Sequence, residues 1–135
     1  VLYQLEGQDT HVSTKVKEGG LTTELPMVVL IDMASASGSE LLTGALQDHS
    51  RATTIGTTSF GKGSVNELRQ LDNGSGLQLT VALFYTPEGR LIEGQGLEPD
   101  MLVPMDFIIP MGSALDIQLA TAVDYIHTQV TTPIF

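Results

Sequence analysis

The first strong hydrophobic signal is the run Pro26-Met27-Val28-Val29-Leu30-Ile31, which stops at Asp32. A short continuous apolar run of this kind is the pattern of a strand buried on both faces, so a central parallel strand is expected. Small residues 34–39 follow at once, and Leu41, Leu42, Ala45 and Leu46 then fall on one helical face. The segment therefore reads as strand, tight turn, helix. Residues 52–56 suit another short strand, and 57–64 form a glycine-rich connection. Residues 68–71 and 76–85 favour β structure on either side of Asp72-Asn73-Gly74-Ser75, and Asn-Gly in that setting predicts a hairpin. Thr86-Pro87-Glu88-Gly89 predicts a further turn before 90–93. Upstream, Leu2, Leu5, Val12 and Val16 allow short strands, and Glu18-Gly19-Gly20 marks a turn. Near the C-terminus, Ser113-x-x-Asp116 resembles a capping box, and Leu115, Leu119, Ala122, Val123 and Ile126 recur at helical spacing as a core-facing stripe.

The chain has 135 residues, which suits one domain, with no internal repeat or low-complexity linker. Sixteen acidic and six basic residues give a net charge of −10, which argues against nucleic acid and against an anionic membrane surface as partners. The absence of cysteine removes disulfides, thiolate metal sites and a cysteine nucleophile together. No apolar run approaches the roughly 18 residues that span a bilayer, so no stable membrane insertion is expected. Starting at Val1 rather than Met suggests a processed product or a piece of something longer.

Three serines, Ser35, Ser37 and Ser39, crowd the start of the first predicted helix. Unpaired N–H groups and the positive end of the helix dipole at such a place stabilise an alkoxide and an oxyanion. A simpler role is also open, because Ser37-x-x-Glu40 reads as a capping box. A serine nucleophile needs a base. His49 follows the helix, roughly 18 Å along its axis from Ser37, and His11 and His127 lie in polar or terminal segments, so histidine is a poor candidate. A lysine can serve if it is neutral, which burial in an apolar pocket achieves by lowering its pKa. Lys62 has Phe60 as apolar cover, Gly61 and Gly63 for close backbone approach, and no acid within four residues. The stretch from Gly56 to Lys62 also matches phosphate-loop spacing, but Gly63 stands where Ser or Thr should bind magnesium, and strand-like residues follow.

Taken in order, the blocks at 28–32, Ser35-Ala36-Ser37-Gly38-Ser39-Glu40, 44–49, Phe60-Gly61-Lys62-Gly63-Ser64-Val65, 85–90, Ile92-Glu93-Gly94-Gln95-Gly96-Leu97-Glu98-Pro99-Asp100 and Asp116-x-Gln118-Leu119 resemble the C-terminal processing peptidases of serine peptidase family S41. The resemblance covers about 26–126. It implies an α/β fold with a crotonase/ClpP-like core, of which this chain is the C-terminal part of the catalytic domain. Ser37 is then the nucleophile and Lys62 the base of a Ser-Lys dyad that works through an acyl-enzyme, with the Gly38 N–H as an oxyanion donor. Asn66 stands where the family usually has a glutamine that orients the lysine amine. Asp48 matches an aspartate discussed as a third catalytic residue, yet its distance along the helix favours a structural role. Asp32 and Ala34 replace a usual asparagine and glycine.

The upstream loop that supplies the second oxyanion donor, and the PDZ domain of many members, are not found in these residues. The resemblance implies a protein or peptide substrate, no metal or organic cofactor, and an extracytoplasmic location in the periplasm or cell envelope. A second reading is a catalytically impaired fragment that binds peptide or self-associates through exposed apolar faces, giving a homo-oligomer.

Overall fold

The structure is a computed structural model that describes residues 2–5, 11–13, 15–17, 19–20, 23–106 and 109–131. Its elements in chain order are β1 (Leu2–Leu5), β2 (His11–Ser13), β3 (Val28–Ile31), α1 (Gly38–Asp48), β4 (Thr53–Gly56), β5 (Ser64–Gln70), β6 (Gly76–Tyr85), β7 (Met101–Leu102) and α2 (Ile117–Thr131). They build a parallel sheet in the order β3-β4-β7 and an antiparallel sheet in the order β2-β1-β6-β5. The α/β class expected from the strand-turn-helix pattern is realised in β3-α1-β4, whose parallel strands require a crossover helix.

One expectation about the parallel sheet needs correction. β4 is its central strand, and β3 pairs on one edge only among the described residues. Leu30 in the middle of β3 is 40% exposed, while Thr54, Ile55 and Gly56 of β4 are buried. An apolar run reports that both faces of a strand are oily. It does not report which neighbours cover them.

The helical face of α1 is also displaced from its apolar stripe. Its buried residues are Glu40, Thr43 and Gly44, at i, i+3 and i+4, whereas Leu42 is 63% exposed. Gly44 explains how closely this side packs, because a Cβ there would sit 2.7 Å from the Thr86 Cγ2 methyl. Leu41 packs against the cluster of Ile31, Ile92 and Leu97, joined by Val29 and Phe84.

The hairpin forms as the Asn-Gly signal predicted. β5 and β6 pair from Gln70↔Gly76 back to Asn66↔Thr80, with an irregularity between Val65 and Asn66. The turn is closed by the Leu71 N–H to Ser75 C=O bond (2.8 Å), and the Asn73 side chain accepts the Ser75 N–H at 3.0 Å. Gly74 takes a φ of 83°, which favours glycine. In α2 the cap is Asp116 rather than Ser113: Asp116 Oδ1 accepts the Leu119 N–H at 2.9 Å and Oδ2 accepts the Gly112 N–H at 2.7 Å. The predicted core stripe of this helix is mostly open in the chain. Ala122 is buried, while Leu119 and Val123, and Leu115 just before the helix, are exposed; α2 packs against β3 and β4.

Two aspartates tie distant segments together. Asp48, at the end of α1, accepts the Glu88 N–H at 2.8 Å and pairs with the Arg90 guanidinium, fixing the turn at 86–89 to the helix. Asp100 Oδ2 accepts the Thr54 N–H (2.7 Å) and hydroxyl (2.8 Å), clamping β4 beside β7. Burial opposes the charge of Asp48, but the Thr86 hydroxyl, the Glu88 N–H and Arg90 outweigh it and hold its pKa below 3.8. Burial likewise opposes Asp100, and its bonds to Thr54 and Gln47 win. At Asp116 the Leu119 and Gly112 N–H groups lower the pKa.

Depressed folded-state values mean that the unfolded chain takes up protons first on acidification. Stability should hold from neutral pH down to about pH 5 and fall progressively as pH drops through 3.8 and below. Urea midpoints measured across that range check this, and a midpoint that rises on acidification would contradict it. Asp48→Asn should flatten the slope.

Candidate active site

The turn between β3 and α1 is organised by Asp32. Its Oδ1 accepts the Ala34 N–H, the Ser35 N–H and the Ser35 hydroxyl, each at 3.0 Å. All three contacts use Asp32 only as an acceptor, which an asparagine oxygen could also provide. Ser39 bonds the Ala36 carbonyl at 2.8 Å, so Ser35 and Ser39 both serve the local turn. Ser37 stands apart. It occupies φ 58°, ψ −115°, a left-handed conformation that costs a non-glycine residue on the order of 1–3 kcal/mol. It is half-buried at the N-cap, and the Gly38 N–H that follows has no intrahelical acceptor by its position. A Cβ built on Gly38 meets nothing within 4 Å, so the space in front of it is open.

The strained turn is held by Glu40, which is only 1% exposed. Its Oε2 accepts the Ser37 N–H at 2.8 Å and the Lys62 N–H at 2.8 Å. Its Oε1 accepts the Gly61 N–H at 2.6 Å and the Ser59 hydroxyl at 2.5 Å. The main-chain nitrogens of Ser37 and Lys62 thus lie at most about 5.6 Å apart, since one oxygen bonds both. A second tie joins the same segments: the Phe60 N–H donates to the Ser35 carbonyl at 2.9 Å.

Within 59–63 the chain alternates. Ser59, Gly61 and Gly63 are buried, whereas Phe60 and Lys62 are exposed. The expected apolar burial of Lys62 under Phe60 is therefore not what the chain displays, and Phe60 is 65% exposed. The inward hydrogen bonds of Ser59 and Gly61 force the two intervening side chains outward. Ser59 is anchored further by donation from the Leu97 N–H to its hydroxyl at 2.8 Å. The Gly61 carbonyl accepts the Gly94 N–H at 2.9 Å, and Glu93 Oε2 accepts the Gly63 N–H at 2.6 Å. These contacts explain both glycines, since a Cβ on Gly61 would be 2.8 Å from Gly96 N and one on Gly63 2.5 Å from Glu93 N. The loop then leads into β5 rather than into a helix, which removes the phosphate-loop reading.

Asn66 lies exposed on β5, where its Oδ1 accepts the Thr80 hydroxyl at 2.8 Å. A further lone pair of that oxygen remains. Asp48 points to Glu88 and Arg90, at the opposite end of α1 from Ser37. His49 and His127 are exposed, and His11 lies in β2. A cleft of about 400 Å³ runs beside the turn between β3 and α1, lined by Leu30, Ala34, Ser35, Met111 and Leu119 among others. Sequence reasoning missed the bridging role of Glu40 and the parts of Ser59 and Glu93. The one available signal, the spacing Ser37-x-x-Glu40, was legible as a cap without revealing that the same carboxylate reaches a loop more than 20 residues away.

The profile of Peptidase family S41 matches residues 1–103. A carboxy-terminal-processing protease of Bartonella bacilliformis is 56% identical over 87 residues, covering 64% of this chain and 20% of that protein. A carboxyl-terminal-processing protease of Synechocystis is 38% identical over 126 residues, or 92% of this chain and 29% of that protein. Among solved structures, the photosystem II D1 C-terminal processing protease superposes with a TM-score of 0.56 at 42% identity, covering 58% of this chain and 20% of that one. The chain spans between a fifth and a third of the length of these relatives.

Removing the buried carboxylate leaves four donors without their acceptor. Glu40→Ala should therefore cost about 3 kcal/mol or more in urea unfolding. Glu40→Gln, whose NH2 would face N–H groups, should also destabilise. A loss under about 0.5 kcal/mol, the range of ordinary surface changes, would contradict the bridging role.

Proposed function

The chain belongs to peptidase family S41, and from that premise we propose that it carries the Ser-Lys dyad of a serine endopeptidase of the C-terminal processing type. Ser37 is the nucleophile and Lys62 its base. The observation that carries this reading is the shared Glu40 oxygen, which ties the strained Ser37 turn directly to the Lys62 backbone. A serine held at a left-handed strand-to-helix turn, next to helix N–H groups, is suited to attack.

The neutral Lys62 amine takes the Ser37 Oγ proton as Oγ bonds to the scissile carbonyl carbon. The carbonyl oxygen becomes an oxyanion, stabilised by the Gly38 N–H and the N-terminal dipole of α1. Collapse breaks the C–N bond, and the leaving amine receives the proton from the Lys62 ammonium. A water molecule, deprotonated by Lys62, then attacks the ester, and the returning proton restores Ser37. Asn66 orients the amine through the lone pair that Thr80 leaves unused. An apolar side chain of the substrate fits the cleft lined by Leu30, Met111 and Leu119. The substrate is a protein or peptide, no cofactor takes part, and the compartment is extracytoplasmic. No helix among the described residues is long and apolar enough to cross a membrane. The family match and the relatives named as proteases favour this reading over a binding module without activity.

A fluorophosphonate probe needs only an activated serine, so its rate of attachment tests the dyad directly. Ser37→Ala should abolish labelling, and Lys62→Ala should slow it at least about 100-fold, in line with loss of a general base, while circular dichroism stays unchanged. Labelling that persists in Ser37→Ala removes Ser37 from the mechanism.

A further inference from the structure

The three consecutive N–H groups of Gly61, Lys62 and Gly63 all donate to carboxylates. Glu40 receives the first two, at 2.6 and 2.8 Å, and Glu93 receives the third at 2.6 Å. Charge-assisted bonds of this length are the strong ones. We propose that Glu93 is a positioning residue for Lys62, the second jaw of a carboxylate clamp that fixes the backbone after Lys62 as Glu40 fixes the backbone before it. The inference rests on the Ser37–Lys62 reading for its catalytic meaning.

Glu93 is well placed for such work because it extends from a rigid support. Its neighbour Ile92 is fully buried and Leu97 nearly so. Between them, the Gln95 and Gly96 N–H groups both donate to the Ile92 carbonyl, at 3.1 and 3.0 Å. The Gly63 carbonyl meanwhile accepts the Phe84 N–H at 2.7 Å, so the exit of the loop is pinned to β6. Gly61 is fixed through its own carbonyl to Gly94. What these bonds leave undetermined is the peptide plane between Lys62 and Gly63, and that is the plane whose N–H Glu93 holds. If that plane is free, the Lys62 backbone is held from its N-terminal side alone and the Lys62 stem loses a fixed origin.

Position and charge are separable by substitution. In Glu93→Gln the amide oxygen can still accept the Gly63 N–H, and in Glu93→Ala nothing can. The expected result is that Glu93→Ala slows fluorophosphonate labelling of Ser37 by about tenfold or more, the cost of one lost charge-assisted bond, whereas Glu93→Gln stays within about threefold. Rescue by the isosteric amide, with circular dichroism alike in both variants, is the readout that a merely structural role would not give. Unchanged labelling in Glu93→Ala, or labelling in Glu93→Gln as slow as in Glu93→Ala, overturns the proposal. Should Glu93→Ala fail to fold, Glu93→Met, similar in length but without a strong acceptor, takes its place with the same expected slowing. If Lys62→Ala labels as fast as the parent chain, the dyad fails, whereas failure of the clamp alone leaves Lys62→Ala slow and Glu93→Ala unchanged.

Discussion

A buried carboxylate with no cation at its side is costly unless every lone pair finds a donor. Glu40 meets that condition only when two segments far apart in sequence are in place together, the turn at Ser37 and the loop 59–63. Neither segment alone can satisfy it, so the two must order cooperatively. The same constraint explains why the buried side of α1 runs through Glu40, Thr43 and Gly44 instead of through its leucines. The helix is aimed by a polar anchor, and its apolar residues are left partly or wholly exposed as a result.

This anchor also accounts for the strain at Ser37. A left-handed φ in a residue with a Cβ persists only where the surroundings over-determine it. The Ser37 N–H is held by Glu40 on one side, and its carbonyl accepts the Leu41 N–H at 3.0 Å on the other. With both backbone groups engaged, relaxing φ would break a bond to a buried charge. Ser37 is thereby held at the N-terminal end of α1, while the loop 59–63 alternates inward glycines and serine with outward Phe60 and Lys62.

How much of this was legible depended on whether the signal was local. The Asn73-Gly74 turn and the span of β6 at 76–85 follow from neighbouring residues, and both form as read. Helix α1 starts at Gly38, inside the small-residue segment 34–39. Long-range facts were not legible. The place of β3 at an edge depends on pairing order, and the exposure of Leu119 and Val123 depends on which side of α2 meets β3 and β4. The exposure of Phe60 and Lys62 depends on hydrogen bonds made by Ser59 and Gly61 to a residue on a different element. Composition was misleading in one respect, since a glycine-flanked lysine beside a phenylalanine looks apolar in sequence and is open in space.

The acidic balance of the chain takes on a different meaning in this light. Asp32, Glu40, Asp48, Glu93, Asp100 and Asp116 each accept at least one backbone N–H. Carboxylate–guanidinium pairs also occur, at Glu67–Arg69 and Asp48–Arg90. The acids therefore act chiefly as acceptors that fix turns and loop edges, a task for which cations are not needed. Fixed amide dipoles pointing at a carboxylate partly cancel its field at a distance. That partial cancellation is strongest at Glu40, which three backbone N–H groups engage.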